Sequence, residues 1–350
     1  MASERKVYID IAKGIAMVCV VLAHLGIYNI NRVVFNFSVA IFFIITGYFI
    51  SNKQTIKDFI YKKIETLIVP YFFVSIVILV FTIFKNEFFD GGMGTKELIK
   101  NTLLSILYGT GADGVEFLGI EIAGIGVIWF LLATFWASIV LRLLLDKKPM
   151  IRLLMVITVL VLSCSTAKIL FLPFSIQPAG LGLFYMYVGY LARQVEPHLK
   201  VHSTELKVLL SIVAIWCWVE SVVDYKWFLV VLADVGRGMT DLVRSICGCY
   251  GIILLAKLFE KSSVLSRLFS YIGKYSIMFM SIHLIELRFL PRNEIVDLLV
   301  KMGVPEMVSF WSVVILRLIL ITSLVAILSR NNLIRKIFGF PMRKKEKKHE

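Results

Sequence analysis

The sequence has few charged residues for its length. Asp, Glu, Lys and Arg make up 18% of the 350 residues, whereas hydrophobic residues make up 59%. The mean hydropathy is +0.84. A soluble globular domain has about a quarter charged residues and about half apolar residues. The apolar residues lie in long runs from end to end, so the composition excludes a soluble domain within the chain and indicates an integral membrane protein.

Cysteine is also scarce, and its positions argue against two kinds of site. The five cysteines all lie in apolar runs, at Cys19, Cys164, Cys217, Cys247 and Cys249. Cysteines in such runs are typical of small buried side chains. We therefore expect neither a disulfide framework nor a zinc or other metal site.

The net charge of +14 would suit a nucleic-acid-binding protein. The basic residues, however, lie in short connections between apolar runs and in the tail at 343–348, not on one face of a folded domain. A basic bias in one set of connections is the topology signal of a membrane protein. We expect contact with membrane lipid and no nucleic-acid partner.

The apolar runs predict an all-α, polytopic membrane protein with about ten transmembrane helices in one bundle, a single domain over 1–350. The predicted inner connections are basic, whereas the outer ones at 172–177 and 224–239 are nearly neutral. This asymmetry predicts that both termini are cytoplasmic and that the protein lies in the inner or plasma membrane. The spans are predicted near 10–29, 33–51, 67–85, 125–145, 151–171, 178–194, 206–223, 240–259, 272–290 and 308–329.

Three connections differ from short loops. Residues 52–66 have apolar residues at helical spacing between lysines, which predicts an amphipathic helix in the cytoplasmic interface. Residues 86–124 are Gly-rich and acidic, and are long enough for an extracytoplasmic lid or acceptor-binding surface. Residues 330–350 form a basic cytoplasmic tail. The GxGxxG pattern at 109–114 follows no predicted strand, so we interpret it as a flexible loop and not as a nucleotide site.

Two polar residues share one face of the first span. Lys13 and His24 are separated by about three helical turns, or about 16 Å along the axis, so both side chains point in nearly the same direction. Lys13 lies near the cytoplasmic end, where a lysine can also extend to lipid phosphates. His24 lies in the outer half, where it could either transfer protons or form a structural hydrogen bond between helices.

Other ionisable residues inside predicted spans are also candidates, because a charge in lipid is costly. His283 is either a catalytic partner or a structural histidine, and Glu286, one turn later, could orient it or pair with Arg288. Arg317 needs an anionic or carbonyl partner, which could be a protein carboxylate or a substrate, and we include it among the candidate cofactor-binding residues.

Several motifs occur in order along the whole chain. They are the basic-x10-His pair Lys13 and His24, the block Phe42-Phe43-Ile44-Ile45-Thr46-Gly47-Tyr48-Phe49, the basic pair Lys62-Lys63 before Pro70-Tyr71, and Ile128-Trp129-Phe130-Leu131. This set resembles the acyltransferase-3 family of membrane O-acyltransferases, and within it the branch related to fucose 4-O-acetylase. The family moves an acyl group, usually acetyl from acetyl-CoA, to a sugar hydroxyl of cell-surface polysaccharides.

The resemblance implies roles for individual residues. His24 would be the catalytic histidine, Lys13 its basic partner, and His283 the late helix-borne histidine of many members. Lys62 and Lys63 would match the basic motif, although many members have Arg-x-x-Arg where this chain has Lys63 followed by Thr66. Coenzyme A is a cytoplasmic polyanion, so Lys13, Lys62 and Lys63 would suit its phosphates.

Two other function classes stay open at the level of sequence. An exporter or flippase for a polysaccharide or lipid-linked sugar would fit the topology, but no internal repeat of the kind common in transporters is present. A non-catalytic partner of a glycan-synthesis complex would also fit. The expected partners are a surface glycan or lipid-linked sugar acceptor, with glycan-synthesis machinery as a further candidate. Direct attack on the thioester and a covalent acyl relay are both open as transfer routes.

Overall fold

The computed structural model describes residues 6–89, 94–199 and 204–342, and this part of the chain is mostly helical. The all-α prediction is confirmed. The α-helices are α1 (Val7–Ala23), α2 (Tyr28–Val34), α3 (Ala40–Phe49), α4 (Ile56–Lys63), α5 (Val69–Phe88), α6 (Thr95–Tyr108), α7 (Trp129–Leu144), α8 (Pro149–Thr166), α9 (Ile176–Leu199), α10 (Thr204–Val223), α11 (Met239–Glu260), α12 (Ser263–Lys274), α13 (Ser276–Phe289), α14 (Arg292–Lys301), α15 (Glu306–Leu328) and α16 (Asn332–Ile337). A short 3₁₀ turn covers Val230–Leu232.

Each predicted span overlaps at least one helix, but the predicted number of ten is not confirmed. Among the described residues, five helical stretches are long and apolar enough to cross a membrane, or six if the bent pair α12–α13 is one span. The five are Ile56–Phe88, Pro149–Thr166, Thr204–Val223, Met239–Glu260 and Glu306–Leu328. Helix α3 has only 10 residues, which is half of what a bilayer crossing needs. The predicted span at 33–51 therefore contains no α-helix long enough to cross a bilayer.

The helix predicted at 52–66 is present, but it does not end before the next span. Helix α4 continues through a π-helical turn (Ile64–Ile68) into α5, so that Ile56–Phe88 is one continuous stretch. Pro70 lacks the N–H that would bond to the carbonyl of Thr66, which interrupts the regular ladder at this point. Such π turns are frequent at functional sites. The location of α4 at the membrane interface stays a prediction.

The long connection at 86–124 is folded where the structure describes it. It contains the end of α5, all of α6 and an antiparallel hairpin of β1 (Val115–Phe117) and β2 (Ile120–Ile122). Val115 pairs with Ile122, and both side chains are buried. The basic tail begins with α16, whereas its lysine-rich end at 343–350 lies outside the described residues.

Close helix crossings hold the centre of the bundle together. A Cβ added to Gly14 would collide with a backbone carbonyl of α12, and one added to Gly273 would collide with a carbonyl of α1. Gly47 of α3 and Gly189 of α9 meet each other's helices in the same way. Small residues allow membrane helices to approach backbone to backbone. Gly14, next to Lys13, and Gly47, next to Tyr48, thus have a packing role.

A sharp bend follows the α1–α12 crossing. The axes of α12 and α13 differ by 77° across Tyr275. The predicted span 272–290 is therefore not one straight helix, since its first residues belong to α12. After the bend, α13 packs against α1, α5 and α15. This packing brings the middle of α13 to the C-terminal end of α1.

Candidate active site

The face of α1 predicted from spacing lines a cavity of about 610 Å³. Lys13, Met17, Val20 and His24 follow one another along this face, each about one helical turn after the last, and all four line the cavity. The structure thus places Lys13 and His24 on one surface. Most of the other lining side chains are apolar, and the volume lies in the range of small-molecule sites.

His24 is held in one tautomer. It follows the last residue of α1, and its Nδ1 lies 2.7 Å from the carbonyl oxygen of Val20. A carbonyl can only accept a hydrogen bond, so Nδ1 carries the proton of the neutral ring. Nε2 then keeps its lone pair. This arrangement presents His24 as a proton acceptor whose orientation is fixed by its own helix.

His283 lies beside His24 in a polar cluster whose other members, unlike His24, are buried. The two imidazole centroids are 5.2 Å apart, and the rings are nearly perpendicular. Nδ1 of His283 lies 3.3 Å from Oε2 of Glu286. Arg317 donates from Nε to Oε1 and from Nη2 to Oε2 of the same carboxylate, the latter at 2.8 Å. His24, His283, Glu286 and Arg317 form this histidine cluster, which joins α1, α13 and α15.

The cluster leaves two buried polar atoms for a ligand. Within the described part of the chain, His283 Nε2 and Arg317 Nη1 have no hydrogen-bond partner. His283 is 0% exposed and Arg317 is 3% exposed. Leaving such atoms unpaired is costly, and in native proteins it calls for an explanation such as a bound water, ion or substrate.

Glu286 has the orienting role that the sequence left open, and it does not pair with Arg288. The Arg288 guanidinium instead donates from Nη2 to the carbonyl oxygen of Gly124, at 2.8 Å. This bond ties α13 to the end of the 86–124 segment. Gly124 also donates its N–H to Asp113, at 2.7 Å. The glycine-rich stretch predicted to be a flexible loop is therefore hydrogen-bonded at the site, and Asp113 lines the 610 Å³ cavity.

The predicted cofactor-binding residues do not all lie together. Lys13 and Lys63 line the 610 Å³ cavity, and Lys13 forms an ion pair with Asp10 at 2.7 Å. Lys62 is exposed and is not part of the lining. Arg317 pairs with Glu286 in the histidine cluster and lines a different cavity from Lys13 and Lys63. Its assignment to cofactor binding stays a prediction. Asp10 was missed, although its i, i+3 spacing to Lys13 is a recognisable signal.

A second cavity, of about 860 Å³, meets the first at His24 and Leu287. Its lining combines aromatic rings from the end of α5 with basic residues from α5, α13, α14 and α15. Of the ionisable side chains that the structure describes, His24 is the one that lines both cavities. His24 therefore lies where the cavity that contains Lys13 and Lys63 meets the arginine-rich one.

A family model described as an acyltransferase domain matches residues 6–330. The chain belongs to the acyltransferase-3 family. This assignment makes it an acyltransferase and a membrane protein, in agreement with its apolar helices. The match includes every helix that contributes to the histidine cluster. No curated protein and no solved structure matches the chain. The relation to the fucose 4-O-acetylase branch stays a prediction.

Proposed function

We propose that this acyltransferase moves an acetyl group from cytoplasmic acetyl-CoA to a hydroxyl of a cell-surface polysaccharide or its lipid-linked sugar precursor. The observation that carries the proposal is the position of His24, which lines both the lysine-containing and the arginine-rich cavity. A donor in one cavity and an acceptor in the other would meet at its Nε2 atom.

The first cavity suits the donor. Its cations Lys13 and Lys63 would bind phosphates of coenzyme A at the cytoplasmic end. The apolar walls between Lys13 and His24 would then contact the pantetheine arm. The distance of about 16 Å along α1 is covered by such an arm in an extended form. The thioester would lie next to His24.

The chemistry follows from the tautomer of His24. As the sugar oxygen attacks the thioester carbonyl, Nε2 takes the hydroxyl proton, because an alcohol is a weak nucleophile without a base. The tetrahedral intermediate then collapses, and the carbon–sulfur bond breaks. The departing coenzyme A thiolate takes the proton from the imidazolium, which restores neutral His24 and leaves an O-acetyl sugar. His283 packs against the ring of the base and is itself oriented by Glu286.

The proposal is tested with purified protein in liposomes and labelled acetyl-CoA. We expect release of coenzyme A that depends on added sugar acceptor, together with label in the sugar. An exporter or flippase would move sugar across the bilayer without consuming acetyl-CoA. Sugar transport with no loss of the thioester would refute the proposal.

A further inference from the structure

The 860 Å³ cavity differs from the donor cavity in charge and in aromatic content. Four cationic residues line it, Lys85, Arg288, Arg292 and Arg317, against the single lining carboxylate of Glu294 among the described residues. Four phenylalanines complete the wall, Phe81, Phe84, Phe89 and Phe289. Aromatic rings beside cations match a ligand that has both apolar ring faces and negative charge.

The lining cations have hydrogen-bonding capacity to spare. Arg288 uses one N–H for the Gly124 carbonyl, and Arg292 donates from Nε to the side-chain oxygen of Asn293 at 3.2 Å. A guanidinium has five N–H donors, so these bonds leave most of them available. Asp113 interacts electrostatically with Arg288 from the neighbouring cavity. Since Arg317 is paired with Glu286, Glu294 and Asp113 stand against Lys85, Arg288 and Arg292, which leaves an excess of one positive charge among the described residues of this wall.

A buried donor marks the inner end of the same cavity. Arg317 lines it, is 3% exposed, and has an Nη1 atom with no partner among the described residues. Glu286 already neutralises the charge of Arg317 through Nε and Nη2. The unpaired Nη1 is therefore a hydrogen-bond donor for an oxygen of a bound molecule next to His24.

We infer that this cavity binds an anionic sugar as the acyl acceptor, with Arg288 and Arg292 on its phosphate or carboxylate and a ring hydroxyl at His24. The inference rests on the proposed function and narrows its acceptor class. Arginine suits both anions, because its planar fork matches the two oxygens of a carboxylate or phosphate. The phenylalanines would pack against the C–H faces of the sugar ring.

The test is a binding measurement on the full chain in nanodiscs of uncharged lipid. The probes are methyl glucoside, methyl glucuronide and glucose 1-phosphate, which share a ring and differ in charge. We expect the two anionic probes to bind at least about tenfold more tightly than the neutral one. Arg288→Gln with Arg292→Gln should remove this preference. Lys301→Gln is the matched control, since it removes an exposed cation at the other end of α14, outside the cavity.

Three results would overturn the inference. They are equal binding of neutral and anionic probes, a preference that survives the double substitution, and, in parallel nanodiscs with added phosphatidylglycerol, arginine-dependent binding of that lipid in place of the anionic sugars. The last result would make the cavity a site for lipid headgroups. Acetyl-CoA turnover in the same preparations distinguishes a failure of the inferred acceptor class from a failure of the proposed function. Turnover without an anionic preference refutes only the acceptor class, whereas a complete lack of turnover refutes the proposed function.

Discussion

Glu286→Gln should destabilise the bundle and disorder the histidine cluster. Glu286 accepts two hydrogen bonds from Arg317, and the side chains are only 5% and 3% exposed. Glutamine keeps the size of the side chain but removes its charge, so Arg317 is left as a buried cation without a counter-ion. Breaking a buried pair on one side costs about 3–5 kcal/mol. His283 also loses the carboxylate that fixes its tautomer, so acyl transfer should fall as well.

The double variant Glu286→Gln/Arg317→Gln makes this expectation specific. It removes both charges, so no buried charge is left unpaired. Its loss of unfolding free energy should be about 2 kcal/mol smaller than the sum of the losses in the two single variants. The measurement is unfolding in detergent, followed by tryptophan fluorescence, for the wild type and all three variants. Glu97→Gln is the control, because Glu97 pairs with Lys100 on the surface. This variant should lose less than about 1 kcal/mol of unfolding free energy. Additive losses in the double variant would refute the ion-pair account.

Three further predictions concern the donor cavity, the helix crossing and the topology. Lys13→Ala and Lys63→Ala should each weaken coenzyme A binding in a titration, whereas Lys62→Ala, outside the lining, should leave it nearly unchanged. Equal losses of coenzyme A affinity in the Lys62 and Lys63 variants would contradict the assignment of this cavity to the donor. Gly14→Ala should lower stability by about 1–3 kcal/mol in thermal unfolding, because the added carbon meets the backbone of α12; an unchanged melting temperature would contradict this. A reporter inserted at Leu118, in the exposed turn of the hairpin, should be exported while one at the C-terminus stays cytoplasmic; a cytoplasmic signal from Leu118 would overturn the predicted orientation.

The α1 face of the site could be predicted from the sequence, because the relative directions of side chains on a single helix follow from their spacing. The spacing of Lys13 and His24 depends on helical periodicity alone, and both residues line one cavity as expected. The contact of His24 with His283 could not be derived in this way. It depends on how α13 leaves the bend at Tyr275 and packs on α1, and the relevant spacing between two helices is absent from a single sequence.

The same limit applies to the partner of Arg317 and to the number of spans. Arg317 was known to need an anionic or carbonyl partner, but a carboxylate on another helix and a substrate phosphate satisfy that need equally well. Hydropathy likewise registers α3 as part of a long apolar run, although its helix has 10 residues. Apolar residues buried within the bundle and those facing lipid give the same hydropathy signal.

The most direct test of the account is acyl transfer by folded His24→Gln protein. Glutamine can hydrogen-bond to the Val20 carbonyl but cannot take the hydroxyl proton. A positioned base contributes about 10²- to 10⁴-fold, so kcat should fall by about that factor while acetyl-CoA binding is retained. The measurement is labelled acetyl transfer in liposomes, with coenzyme A titration on the same preparation. Transfer within a few-fold of the wild type would show that His24 is a structural residue between the two cavities and not the general base for acyl transfer.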